Sequence, residues 1–196
     1  MHIYNSVSIQ SLGSSCISED SAKEILSIQG VYADYKSGIF DWVIISPGSI
    51  IEFFEYLKDD NIAEILTNED NYLKLEEPYK VYRNMKFESF YIWHVHELDE
   101  IFSSKTLHKL GNMYNDANKK YFILNNTSTQ LKENMADVGD DYEKYIISWD
   151  QYLKIKNHVK ELFDGELILI SKKSLTMGFP EDFIFYKKDS VPNLFN

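Results

Sequence analysis

The stretch SWDQYLKIKNHVKELFDGELILI, residues 148–170, carries both periodicities from which a fold class can be read. Ser148 and Gln151 stand at capping-box spacing, where a serine hydroxyl takes a backbone N–H of the first turn and the glutamine reaches back to the cap. Tyr152, Ile155, Val159 and Leu162 then form an apolar stripe at helical spacing to about Phe163. His158, between Asn157 and Val159, reads as a group on the helix surface. Gly165 stops the helix. The run ELILI, 166–170, is continuously apolar after its first residue, as strands buried on both faces of a parallel sheet are. A helix feeding straight into a buried strand is half of an α/β unit.

Reading outward, the alternation recurs. Residues 3–10 form a short strand in which Ile3, Val7 and Ile9 alternate with polar neighbours, and 11–15 a glycine-containing turn. A helix over 17–29 gathers Ala22, Ile25, Leu26 and Gln29 on one face before Gly30. Residues 35–43 are extended or irregular and end in IFDW. Ser49 and Glu52 repeat the capping-box spacing, and Ile50, Phe53, Phe54 and Leu57 follow at i, i+3, i+4 and i+7. A shorter helix over 61–66 and a polar loop over 67–78 come next. Segments 79–83 and 87–96 resemble a hairpin turning at Asn84-Met85. A helix over 104–117 turns Leu107, Leu110 and Tyr114 inward. Strand 121–124 ends at Asn125-Asn126, and DFIFY, 182–186, supplies a last strand. The expected fold is α/β and layered, with a mostly parallel sheet flanked by helices and a hairpin insertion, in a single domain over 1–196.

Composition narrows the function classes. Of the 196 residues 44% are apolar and 15% aromatic, which suits a packed core and not a disordered chain. Eight glycines and four prolines leave little for a flexible linker, and neither an internal repeat nor a low-complexity tract is visible. The formal net charge of −11 repels phosphate backbones and anionic lipid, so neither nucleic acid nor membrane is an expected partner. The same charge favours cationic or neutral substrates over anionic ones. No stretch reaches the roughly 20 apolar residues of a membrane span, and MHIYNSVSIQ lacks the marks of a signal peptide. A cytoplasmic location is expected. One cysteine permits neither an internal disulfide nor a cysteine-based zinc cage, and no cofactor is implied.

That cysteine, Cys16, closes SLGSSC, 11–16. At a strand-to-helix turn it would lie near the positive end of the helix dipole, where unpaired N–H groups stabilise a thiolate. The amides around Gly13 and Ser14 could then hold an oxyanion, and glycine at 13 lets backbone approach a substrate. Glu19 and Asp20 act the other way, raising the thiol pKa if they face it. The alternative is a buried structural thiol. Among five histidines, His2 is terminal and His108 and His158 read as ordinary helix groups. His94 and His96, in FYIWHVHEL, end a strand two residues apart, hence on one face, and either could serve as general base. They could also bind zinc with a third ligand such as Glu97 or Asp99, or be plain polar residues at a strand end. Asn125, Asn126 or Asp41 could orient the base. Asp41, between Phe40 and Trp42, also fits a hydrogen-bonded structural corner. Ser49 and Ser148 are accounted for as caps. P-loop, G-x-G-x-x-G and G-x-S-x-G motifs are missing, so nucleotide use and α/β-hydrolase serine chemistry have no support.

SLGSSC, followed by FDWVIISP at 40–47 and SIIEFFEYL at 49–57, resembles a bacterial family of papain-like cysteine peptidases, otherwise a domain of unknown function. The likeness covers residues 7–60, with HEL at 96–98 standing where that family has a histidine followed by an acid and an apolar residue. Family members often carry an arginine after the later strand, where this chain has the asparagines of YFILNN. The resemblance implies Cys16 as nucleophile and His96 as base in a hydrolase acting on a peptide or small molecule, with Asp41 a family-typical residue. Similar turns resemble those of acyltransferases in polysaccharide biosynthesis, and a non-catalytic binding domain of the same fold is a further alternative.

Overall fold

In a computed structural model the residues described are 7–13, 33–35, 37–41, 43–75, 81–93, 98–114, 117, 119–126, 129–171 and 173–183. Among them the chain runs β1 (Val7–Ser11), β2 (Ala33–Tyr35), β3 (Val43–Ile45), α1 (Pro47–Lys58), α2 (Ile62–Thr67), β4 (Tyr72–Lys74), β5 (Val81–Asn84) and β6 (Phe90–Trp93). It continues through α3 (Glu100–Asn112), β7 (Lys119–Asn126), α4 (Thr129–Val138), β8 (Ile147–Ser148), α5 (Trp149–Phe163), β9 (Glu166–Ser171) and β10 (Thr176–Met177). The content is mixed α/β, with one parallel and one antiparallel four-stranded sheet.

The parallel sheet has the order β2-β1-β7-β9. Ser11 pairs with Ile123 and Asn126 with Ser171. Parallel neighbours need crossovers through covering segments, so both faces are buried: Phe122, Leu124, Leu167 and Leu169 on one, Ile9, Ile123 and Ile168 on the other. The antiparallel sheet, β3-β6-β5-β4, goes beyond the single hairpin expected over 79–96, since β3 and β4 flank it. In it β5 and β6 pair at Val81–Trp93, Tyr82–Ile92 and Arg83–Tyr91. Its period of two sends Val43, Ile45, Phe90 and Ile92 into the core shared with Phe122 and Leu124. Ile44, Val81 and Tyr91 point the opposite way, onto Leu131 and Met135 of α4.

Ser148 caps α5 with the full capping box, as its spacing predicts, while several other local readings change. At α1 the cap is Ser46, whose hydroxyl accepts from the Ser49 amide, with Pro47 at the first helical position, where its fixed φ suits a helix start. Ser49 is instead buried, and its Oγ accepts from the Ser89 amide at 2.9 Å. The end of α5 is made by Asp164, in left-handed conformation at φ 51°. The amides of Asp164 and Gly165 donate to the Lys160 and Val159 carbonyls, which satisfies two carbonyls of the last turn. Gly165 is there for space, since a Cβ would stand 2.8 Å from the Phe122 ring. The stretch 67–78, read as loop, holds a 3-10 turn at Glu69–Asn71 and strand β4. Helix α3 starts at Glu100 with Asp99 as cap, and Leu107 and Tyr114 are exposed while Thr106 is buried. The expected helix over 17–29 lies outside the described residues, as does most of the strand expected over 182–186.

Candidate functional site

In the order β2-β1-β7-β9 the chain leaves β1 to one side and returns on its other side as β7, so connections diverge from the carboxyl ends of β1 and β7. Open α/β sheets bind ligands at such a switch point, because the diverging connections leave a crevice there. Ser11 pairs with Ile123, and the Leu12 amide still donates to the Ile123 carbonyl at 2.9 Å. This register brings Gly13 level with the end of β7, where Asn125 is buried and pairs with Ile170 of β9. Two candidates more than a hundred positions apart, Gly13 and Asn125, are thereby brought to one sheet edge. Buried Ser11 and Ser171 give that edge further polar character.

Gly13 has φ +82°, a conformation glycine adopts without cost. A Cβ there would come within 2.5 Å of Ile45 Cγ2, so the turn is pressed onto β3. Its amide donates to Ser11 Oγ at 3.1 Å, so that N–H is already engaged. Ser14, Cys16, His94, His96 and Glu97 lie outside the described residues.

Asp41 is 3% exposed and forms the corner read from FDW. Its Oδ2 accepts from Ser37 Oγ at 2.8 Å and from the Gly38 amide at 2.9 Å. Asn112, at the end of α3, ties this corner to β1: its Nδ2 donates to the Ser37 carbonyl, and its own carbonyl accepts from Gln10 Nε2. Nothing in the sequence marks Gln10 or Asn112, because the network joins three segments distant along the chain.

Asp41 also lines a cavity of about 510 Å³ between the antiparallel sheet and α2–α3, within the size range of small-molecule pockets. Val43, Leu66, Phe90 and Ile92 give it apolar walls, and Trp93, the residue before His94, stands at one side. Tyr72 and Phe102 meet edge to face at 6.0 Å. The Tyr72 hydroxyl donates to the Leu66 carbonyl at 2.9 Å, and burial pushes its pKa up to about 12 despite Asn84, so it stays a neutral donor. On the α3 side the wall is Lys105, Thr106 and Lys109. No sequence signal pointed to these three; Lys105 and Lys109 share a helix face, but what faces it is a tertiary fact.

No match to this chain was found among protein-family models, curated proteins or solved structures. Asp99, suggested as a metal ligand, caps α3 by accepting from the Phe102 amide at 2.8 Å. Among the described residues no group of three or more His, Cys, Asp or Glu side chains could hold a metal ion. None of their helices is long and apolar enough to cross a membrane.

His158 differs from its reading as a surface group: it is buried between α5 and α1. Its Nε2 lies 3.0 Å from Glu55 Oε1, and its ring tilts against Phe54 at 5.6 Å. Burial and nearby Lys58 hold its pKa below the usual histidine value, outweighing Glu55 and Glu161. It fastens two helices, well separated in role from the sheet edge.

Proposed function

We propose that the chain is a cysteine-dependent hydrolase of the papain-like peptidase kind, a single layered α/β domain whose antiparallel strands elaborate the parallel sheet. What carries the reading is the switch point between β1 and β7: Gly13, three positions before Cys16, and buried Asn125 belong to the two strand ends from which connections diverge. In this scheme the Cys16 thiolate attacks a carbonyl carbon, and His96, or His94 beside it, takes the thiol proton and returns it to the leaving group. Amides of the turn, Ser14 onward, bind the oxyanion more readily than that of Gly13, which donates to Ser11. Asn125 suits the orienting role because it ends β7 at the switch point, beside the turn that leads to Cys16. Water resolves the thioester in a hydrolase, and a second nucleophile does so in an acyltransferase.

The test is iodoacetamide labelling between about pH 5 and pH 9, on the native chain and on His96→Ala and His94→Ala. An activated thiol labels fast well below the ordinary cysteine pKa of about 8.5 and loses that advantage when its histidine is removed. Slow labelling with an ordinary midpoint overturns the reading. The cavity beside Asp41 would then favour a second one, a binding module of the same fold, since a preformed apolar pocket needs no nucleophile to hold a ligand.

A further inference from the structure

The cavity between the antiparallel sheet and α2–α3 has a polarity that the overall charge does not suggest. The chain carries a net charge of −11, yet two lysines one turn apart, Lys105 and Lys109, line this cavity. Neither is drawn into an ion pair among the described residues, whereas Lys58, Lys144 and Lys160 all are. Lys105 is exposed, Lys109 is half-buried and Thr106 between them is buried, so the ammonium groups belong to the mouth. Deeper in, the walls are Leu66, Phe90 and Ile92, which offer a carboxylate nothing but suit hydrocarbon. Among the described residues Asp41 is the one acid on the lining, and its Oδ2 is taken by Ser37 and Gly38.

We propose that this cavity binds an amphiphilic carboxylate, an acyl chain seated against Leu66, Phe90 and Ile92 with its carboxylate held by Lys105 and Lys109. Apolar contact supplies most of the affinity, and the lysines supply selection of the head group, as charge-assisted hydrogen bonds at a partly desolvated mouth do. The proposal goes beyond the thiol reading, because every residue it uses binds without Cys16.

The experiment is calorimetric titration of the full chain with octanoate, octanol and octyltrimethylammonium, which share a tail and differ in head charge. Octanoate is expected to bind with one site per chain, at least about tenfold tighter than octanol, which corresponds to about 1.4 kcal/mol of head-group selection. The double variant Lys105→Gln, Lys109→Gln keeps good helix formers at an exposed and a half-buried helix position and should fold. It should bring octanoate down to the octanol level while leaving octanol unchanged. Equal binding of octanoate and octanol to the native chain, tighter binding of the cation, or no binding at all would overturn the proposal. Cys16→Ala must retain octanoate binding, and loss there would overturn it too. Since labelling of Cys16 is a separate readout, failure of the ligand class and failure of the thiol chemistry are told apart.

Discussion

Gly13 meets two demands at once, a left-handed backbone and a contact with Ile45 that leaves no room for a Cβ. Both are satisfied by packing, so a glycine in this turn is not in itself a mark of catalysis. Gly13→Ala should destabilise the chain by roughly 2–4 kcal/mol, from the strained φ and the clash together, read as a lower urea midpoint. A shift under about 0.5 kcal/mol would mean that the turn moves freely off β3. Asp140 is a second residue whose worth lies in its partners. Its Oδ2 accepts from Ser89 Oγ at 2.8 Å and Tyr145 OH at 3.0 Å, and its Oδ1 takes the Asp141 amide and Lys144. Burial raises its pKa, but these four donors outweigh burial and hold it below the usual carboxylate value. A depressed carboxylate stabilises the fold above the unfolded value of about 3.8 and loses that contribution as pH falls through the folded value. Asp140→Asn should therefore cost about 1–3 kcal/mol near pH 7, with the gap to the native chain shrinking toward pH 3. Urea midpoints at the two pH values check it.

At the scale of elements, α1 and α5 are fastened by a histidine that prefers to be neutral. With its pKa lowered by burial and Lys58, His158 adds no pH dependence while the unfolded chain is also neutral, above about pH 6.5. Below that value the unfolded chain takes a proton that the folded one resists, so stability falls as pH drops. Neutral His158 donates through Nε2 to Glu55 and leaves Nδ1 buried with no hydrogen-bond partner among the described residues. His158→Leu fills similar space without a polar atom. It should flatten the pH dependence of the melting temperature between about pH 7 and pH 5 and leave stability near pH 8 within about 1 kcal/mol. An unchanged slope would assign that dependence to other groups. The histidine was misread because its neighbours on α5 are polar, and only the docking of α1 buries it. What could be read were elements whose signal is local: the Ser148–Gln151 box, the stripe from Tyr152 to Val159, the run ELILI. Strand β4 was missed because Tyr72, Leu73 and Lys74 lie half-buried or exposed at a sheet edge. Helix α4 was missed because its described apolar contacts, Leu131, Met135 and Val138, are set within a polar stretch.

For the whole molecule, the parallel and antiparallel sheets draw on one core, in which Val43, Ile45 and Phe90 meet Leu12, Phe122 and Leu124. That sharing explains why the candidate site was only half readable. Cys16, Asp41 and Asn125 could be marked as chemically able from their local settings, but the meeting of Gly13 with Asn125 depends on strand order, and the lysine-lined cavity depends on where α3 comes to rest. Neither leaves a trace in spacing along the chain. A shared core also has a thermodynamic consequence, because removing atoms from it weakens whatever packs on both sides. Phe90 lies in the antiparallel sheet, fully buried, with its ring stacked on Phe87 at 5.0 Å. Phe90→Ala should cost about 3–5 kcal/mol. If the sheets unfold as one unit, amide exchange in mild urea will accelerate by the same factor in β1, β7 and β9 as in β3, β5 and β6, because all open through the same global transition. Acceleration confined to β3, β5 and β6 would show two cooperative units and defeat the inference of a common core. Phe122→Ala in the parallel sheet supplies the reverse arm: it should speed exchange of β6 as much as that of β7, and by a factor that scales with its own loss of stability.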